Sequence, residues 1–124
     1  MSKQIIFLLT VLVFVFMFFF FNQGASPKNK AEIADAIQKG ALLVDVRTEW
    51  EFAEGSVPGA INIPLDKITS NLDKFKNQTQ IIVFCRSGNR SGQAKAILKK
   101  NGFTNVINGG TWTEVAELVN NKKR

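Results

Sequence analysis

The chain has 124 residues, sixteen basic against ten acidic side chains for a net charge of +6, one cysteine and no histidine. That inventory excludes an intramolecular disulfide framework, Cys-His and Ser-His-Asp mechanisms, and histidine-containing metal sites, so no metal and no cofactor is expected. The lysines are scattered and Tyr is absent, so the basic balance reads as a solvated surface with attraction for small anions, not as a nucleic-acid interface.

From Ile5 to Phe21 all 17 positions except Thr10 are apolar. A helix of that length reaches roughly 25 Å, against a hydrocarbon core of about 30 Å. Lys3 supplies a short positive region before it, and small residues follow at Gly24-Ala25-Ser26. Residues 1–24 therefore read as a signal peptide or as an N-terminal transmembrane anchor that meets the membrane through residues 5–21. The anchor would hold the domain on the outer face of a membrane; cleavage would leave it periplasmic or exported. Residues 25–30 read as a linker, 31–120 as one compact domain, and 121–124 as a basic tail.

Within the domain, Asn29 followed three residues on by Glu32 predicts a capped helix whose face is Ile33, Ala34 and Ile37 and which stops at Gly40. Ala41 to Val46 predicts a buried strand. Thr48 and Glu51 stand as N-cap and N3 of a short helix ending at Glu54. Turn chemistry from Gly55 to Ala60 leads into a brief strand, Ile61 to Ile63, ended by Pro64. Leu65, Ile68, Leu72 and Phe75 keep a helical period that Thr69-Ser70-Asn71 divides into two pieces. Ile81 to Phe84 predicts a strand, Gly88 to Lys100 a helix, Asn105 to Ile107 a strand, and Thr113 to Val119 a last helix. Strands alternating with helices imply a mostly parallel sheet covered on both faces.

Cys85 stands at the end of the apolar run Ile81-Ile82-Val83-Phe84, just before a helix N-terminus. Open α/β sheets bind their ligands at the carboxyl ends of strands. Backbone N–H groups, the helix dipole, Arg86 and Arg90 all favour a thiolate there. The competing reading is a buried structural cysteine, which has no need of two arginines and a Gly-Asn loop beside it.

Asp45-Val46-Arg47, the run Glu54 to Pro64, the loop Cys85-Arg86-Ser87-Gly88-Asn89-Arg90-Ser91, Gly102-Phe103, and Asn108-Gly109-Gly110 with Trp112 keep their order over residues 30 to 119. Together they resemble a single-domain rhodanese, a thiosulfate sulfurtransferase-like protein. The resemblance implies an α/β fold with a mostly parallel five-stranded sheet flanked by helices on both faces, here preceded by the N-terminal apolar helix. It also implies an enzyme in which Cys85 carries sulfur as a persulfide. The donor is a small sulfur anion such as thiosulfate, the acceptor is a thiol or cyanide, and the chain is expected to work as a monomer. Arg86, Ser87, Gly88, Asn89 and Arg90 become candidates for holding the donor. Asp45 and Arg47 read as structural support, and Trp50 and Phe52 either flank the pocket or pack. Four residues separate Cys85 from Arg90, one fewer than in the related phosphatases, which favours sulfur over phosphate. Ser56 stands where relatives commonly carry His. Two other readings stay open: a non-catalytic interaction module on the same scaffold, and a cysteine-dependent phosphatase or arsenate reductase.

Overall fold

The computed structural model describes residues 2–21 and 27–122, the side chains of 18–21 and 27–28 excepted. All five side chains of Ile81-Ile82-Val83-Phe84-Cys85 are buried, as a strand in the middle of a sheet covered on both faces requires. This strand, β3 (Ile81–Cys85), lies between β1 (Leu42–Asp45) and β4 (Val106–Thr111), and β2 (Ile61–Asn62) pairs with the other side of β1. All three pairings are parallel.

Successive side chains of β3 point to opposite faces, so one strand serves two cores. Ile81, Val83 and Cys85 pack with Val44, Phe75, Ala94 and Leu98 on the face covered by α4 (Asn89–Lys100). Ile82 and Phe84 pack with Ile33, Ile37, Val115 and Val119 on the face covered by α2 (Pro27–Gln38) and α5 (Trp112–Lys122). The sulfur of Cys85 thus starts from a strand pinned on both sides.

Between β1 and β2, the expected capping box is present in full on α3 (Glu49–Glu54). The Thr48 hydroxyl accepts from the Glu51 N–H, and the Glu51 carboxylate accepts from the Thr48 N–H. The divided period after Pro64 resolves into two single-turn 3-10 helices, Leu65–Lys67 and Leu72–Phe75.

Three expectations are corrected. The sheet has four strands among the described residues, not five. The apolar runs supplied only four, and the fifth came with the resemblance alone. The stretch before β1 is a helix, as expected, but this helix, α2, begins at Pro27, two residues ahead of Asn29. Proline suits the first helical position because its missing N–H would have no partner there.

The signal or anchor reading of residues 1–24 is also corrected. Among the described residues no helix is long and apolar enough to cross a membrane. The first helix is α1 (Lys3–Phe21). The third correction follows from the second: placement on an outer membrane face or in an exported compartment rested on that segment and is withdrawn with it. The chain divides into two units, Met1–Lys30 and Ala31–Arg124, and the site lies wholly in the second. Of the expected linker, residues 25 and 26 lie outside the described residues, as do 123 and 124 of the expected tail.

Candidate functional site

Cys85 ends β3 and is fully buried. The chain then turns through Arg86 and Ser87 to Gly88, whose φ of 95° lies in the left-handed region that glycine adopts without a Cβ penalty. That turn points the Gly88 N–H back at the strand it left, where it donates to Cys85 Sγ at 3.0 Å. From the first turn of α4, the Ser91 hydroxyl reaches the same sulfur at 3.4 Å.

Burial pushes the Cys85 thiol up, but hydrogen bonds outweigh it. The Ser91 hydroxyl and the N–H groups of Ser91, Ser87 and Gly88 leave the thiol below its ordinary value. The lowering expected from two neighbouring cations is thus carried by hydrogen bonds. Both arginines are engaged otherwise or turned outward. Arg90 forms a two-pronged ion pair with Glu51, Nη1 to Oε1 at 2.7 Å and Nη2 to Oε2 at 3.0 Å. The pair raises Arg90 and, with burial opposing and Thr48 assisting, holds Glu51 down to about 2. A carboxylate lowered in the folded chain stabilises it above its unfolded value near 4.5, and that contribution is lost as pH falls through about 2. Because both side chains keep substantial solvent contact, the effect on stability is small.

Arg86 is exposed and has no hydrogen-bond or ion-pair partner among the described residues. It lines a cavity of about 330 Å³ together with Arg47, Glu51, Glu54, Gly55 and Trp112. The mixture of two guanidinium groups, two carboxylates and an indole makes this hollow polar and nearly charge-balanced. Ser87 and Asn89 are exposed on the loop. The Ser87 hydroxyl accepts from the Asn89 N–H, and the Asn89 side chain accepts from Gln93 on the next helical turn. Trp50 is exposed and Phe52 half-buried, and neither lines the cavity, whereas Trp112 does.

Asp45, the last residue of β1, and Arg47, two residues on, form a buried pair. Arg47 Nη2 meets Asp45 Oδ2 at 2.7 Å, and Arg47 Nε lies 3.0 Å from both carboxylate oxygens. The same Nη2 donates to the Gly55 carbonyl at 2.7 Å, and the guanidinium carbon lies 4.8 Å from the centre of the Trp112 ring. Ser56 donates to Asp45 Oδ2 at 2.6 Å. In this chain, then, the residue in place of the relatives' His is tied to the buried carboxylate. Asn62 closes the cluster by donating to the Asp45 and Arg47 carbonyls, both at 3.0 Å. No buried side-chain nitrogen or oxygen of the pair lacks a hydrogen-bond partner, the condition under which a buried ion pair is tolerated.

Three residues with a part in the site were missed from the sequence. Ser91 lay inside the quoted loop without a role. Glu51 was read only as a helix cap, and Asn108 only as a member of the Asn108-Gly109-Gly110 motif. The Cys85-to-Ser91 spacing offered a signal for the first, since one helical turn brings a hydroxyl back over the strand end.

Comparison with known proteins agrees with this geometry. A family model described as Rhodanese-like domain matches residues 29–113. A protein called thiosulfate sulfurtransferase PspE from Escherichia coli is 40% identical over 76 residues, covering 59% of this chain and 72% of that one. A protein called sulfurtransferase from Allochromatium vinosum is 39% identical over 67 residues, covering 54% of this chain and 63% of the relative. Among solved structures, one titled rhodanese with anions from E. coli superposes with a TM-score of 0.58 at 34% identity, covering 62% of this chain and 93% of that one.

Proposed function

This chain belongs to the rhodanese-like domain family, and on that premise we propose that Cys85 is the atom on which its cargo travels, within a domain spanning residues 31–120. The activity is enzymatic, of the sulfurtransferase type, and passes through a persulfide. In the first half-reaction the Cys85 thiolate attacks the outer sulfur of a donor such as thiosulfate. An S–S bond forms to Sγ, the donor's own S–S bond breaks, and its electron pair leaves with sulfite. In the second, cyanide or an acceptor thiolate attacks the outer sulfur of the persulfide, and the pair of the broken bond returns to Sγ. Both halves are displacements at sulfur by an existing anion, so neither needs a general base.

The observation that carries this reading is the Gly88 N–H aimed at Sγ at 3.0 Å, reinforced by Ser91. Donors fixed before the reaction stabilise an anion on sulfur without reorganising. Intact mass of the folded protein after treatment with thiosulfate, without reductant, tests it. A gain of one sulfur atom localised to Cys85 and lost on adding cyanide is the expected result, and an unchanged mass with several donors would sink the proposal. Release of phosphate from an aryl phosphate ester, with no sulfur gain, would turn the reading to phosphatase chemistry.

Thiosulfate is a dianion, and the two arginines meet it differently. Arg86, exposed and unpaired among the described residues, supplies the free charge, while Arg90 has its charge offset by Glu51. Glu51→Gln keeps the helix cap, since Gln also serves at that position, and removes the negative charge. We expect the KM for thiosulfate to fall roughly three- to tenfold at low ionic strength, with the difference shrinking as salt rises. A KM that rises at every salt concentration would mean that Glu51 orients Arg90 instead of opposing it.

A further inference from the structure

The pairing of β3 with β4 contains an irregularity that falls beside the sulfur. Val83 pairs with Asn108 and Phe84 with Gly110, leaving Gly109 as an extra residue on β4. Such a bulge bends the strand and re-aims the side chains next to it. Only glycine fits at its centre: a Cβ on Gly109 would lie 2.8 Å from Ile82 Cγ2 and 2.9 Å from Val115 Cγ2. The bulge is therefore sunk into the second core, and it leaves Asn108 among the residues of the loop after Cys85.

There the Asn108 amide makes three bonds. Nδ2 donates to the Gly88 carbonyl at 3.2 Å, and Oδ1 accepts from the Gly110 N–H at 3.0 Å and from the Ser91 hydroxyl at 2.7 Å. A backbone N–H only donates and a carbonyl only accepts, so the amide has one allowed orientation. The two loop residues it grips, Gly88 and Ser91, are the same two whose N–H and hydroxyl meet Cys85 Sγ.

We propose that Asn108 is a positioning residue that sets the protonation state of Cys85 through Gly88 and Ser91, without touching the sulfur itself. Ser91 has a single hydroxyl proton and two neighbours able to accept it. When Cys85 is a thiol, its S–H donates to Ser91 and Ser91 donates to Asn108. When Cys85 is a thiolate, the Ser91 proton turns to sulfur, and Asn108 Oδ1 keeps the Gly110 N–H and so is not left bare. Asn108 is the alternative acceptor that lets one hydroxyl serve both states. It also clamps the carbonyl side of Gly88, which holds the Gly88 N–H on target.

The inference rests on the reading of Cys85 as the reacting sulfur, but its test does not need sulfur transfer. The rate of Cys85 alkylation by iodoacetamide, followed against pH in the full chain, reports the thiolate fraction directly. Asn108→Asp is nearly isosteric and keeps both acceptor contacts, so it disturbs the fold less than Asn108→Ala, which removes all three bonds. It loses the donor to Gly88 and adds a negative charge near the sulfur. The expected result is an alkylation midpoint moved up by about one pH unit, equivalent to a roughly tenfold smaller thiolate fraction below the midpoint. In the Ser91→Ala background the same substitution moves the midpoint by less, because part of the path is already cut. An unshifted midpoint in folded Asn108→Asp overturns the proposal, as does full additivity with Ser91→Ala. If the unsubstituted protein takes up no sulfur yet the midpoint shifts, the carrier reading fails and the role of Asn108 stands.

Discussion

Cys85→Ser is expected to lower thiosulfate-to-cyanide sulfur transfer by roughly three orders of magnitude or more, the scale on which enzymes respond to loss of their nucleophile. The chain has no second thiol to take over. The substitution is a clean one because the hydroxyl stays within reach of the Gly88 N–H and the Ser91 hydroxyl, the two groups that now meet the sulfur. Stability should change by only about 1 kcal/mol, as for a near-isosteric replacement. Thiocyanate formation at matched folded concentration, with thermal unfolding of both proteins alongside, checks both halves. Retention of a tenth of the rate by a folded Ser variant would place the sulfur elsewhere and remove the persulfide from Cys85.

The largest effect on stability is expected at the opposite end of the site. Arg47→Ala leaves the Asp45 carboxylate buried without its partner and the Gly55 carbonyl without its guanidinium donor. Breaking a buried ion pair from one side costs about 3–5 kcal/mol, a large fraction of a typical total of about 5–15 kcal/mol. In a domain of this size that corresponds to a midpoint lowered by about 15 °C or more. Arg47→Lys keeps the charge but cannot reproduce the fork that spans both Asp45 oxygens and Gly55, so an intermediate loss is expected. Calorimetry or denaturant unfolding decides the matter, and a change below about 1 kcal/mol for Arg47→Ala would show that the pair does not hold the loops. If instead Arg47→Lys leaves stability intact while lowering turnover per folded molecule, Arg47 acts on the reaction from the cavity that it shares with Arg86.

What could be read in advance divides by the distance along the chain over which a contact closes. The capping box of α3 closes within three residues, and it was legible from Thr48 and Glu51 alone. The strand ending at Cys85 and the helix following it depend on a local apolar run and on local turn chemistry, and both stand where the pattern put them. By contrast, the second role of Glu51 depends on Arg90, 39 residues on, and that of Asn108 on Ser91, 17 residues before it. Nothing in the composition around either residue marks such a partner.

By itself the sequence determined the kind of chemistry: one thiol, no histidine, a strand end before a helix and a loop able to present N–H groups. Local sterics and hydrogen bonding decide those features, and they act within a few residues. Only the tertiary structure decided which groups hold the sulfur and which of Arg86 and Arg90 is unpaired among the described residues. The bulge at Gly109 brings Asn108 to the loop and the packing of α3 brings Glu51 to Arg90, and both depend on how the sheet and helices close together. The same closing of the fold places Ser56 on Asp45, within the hydrogen-bonded cluster around the buried carboxylate.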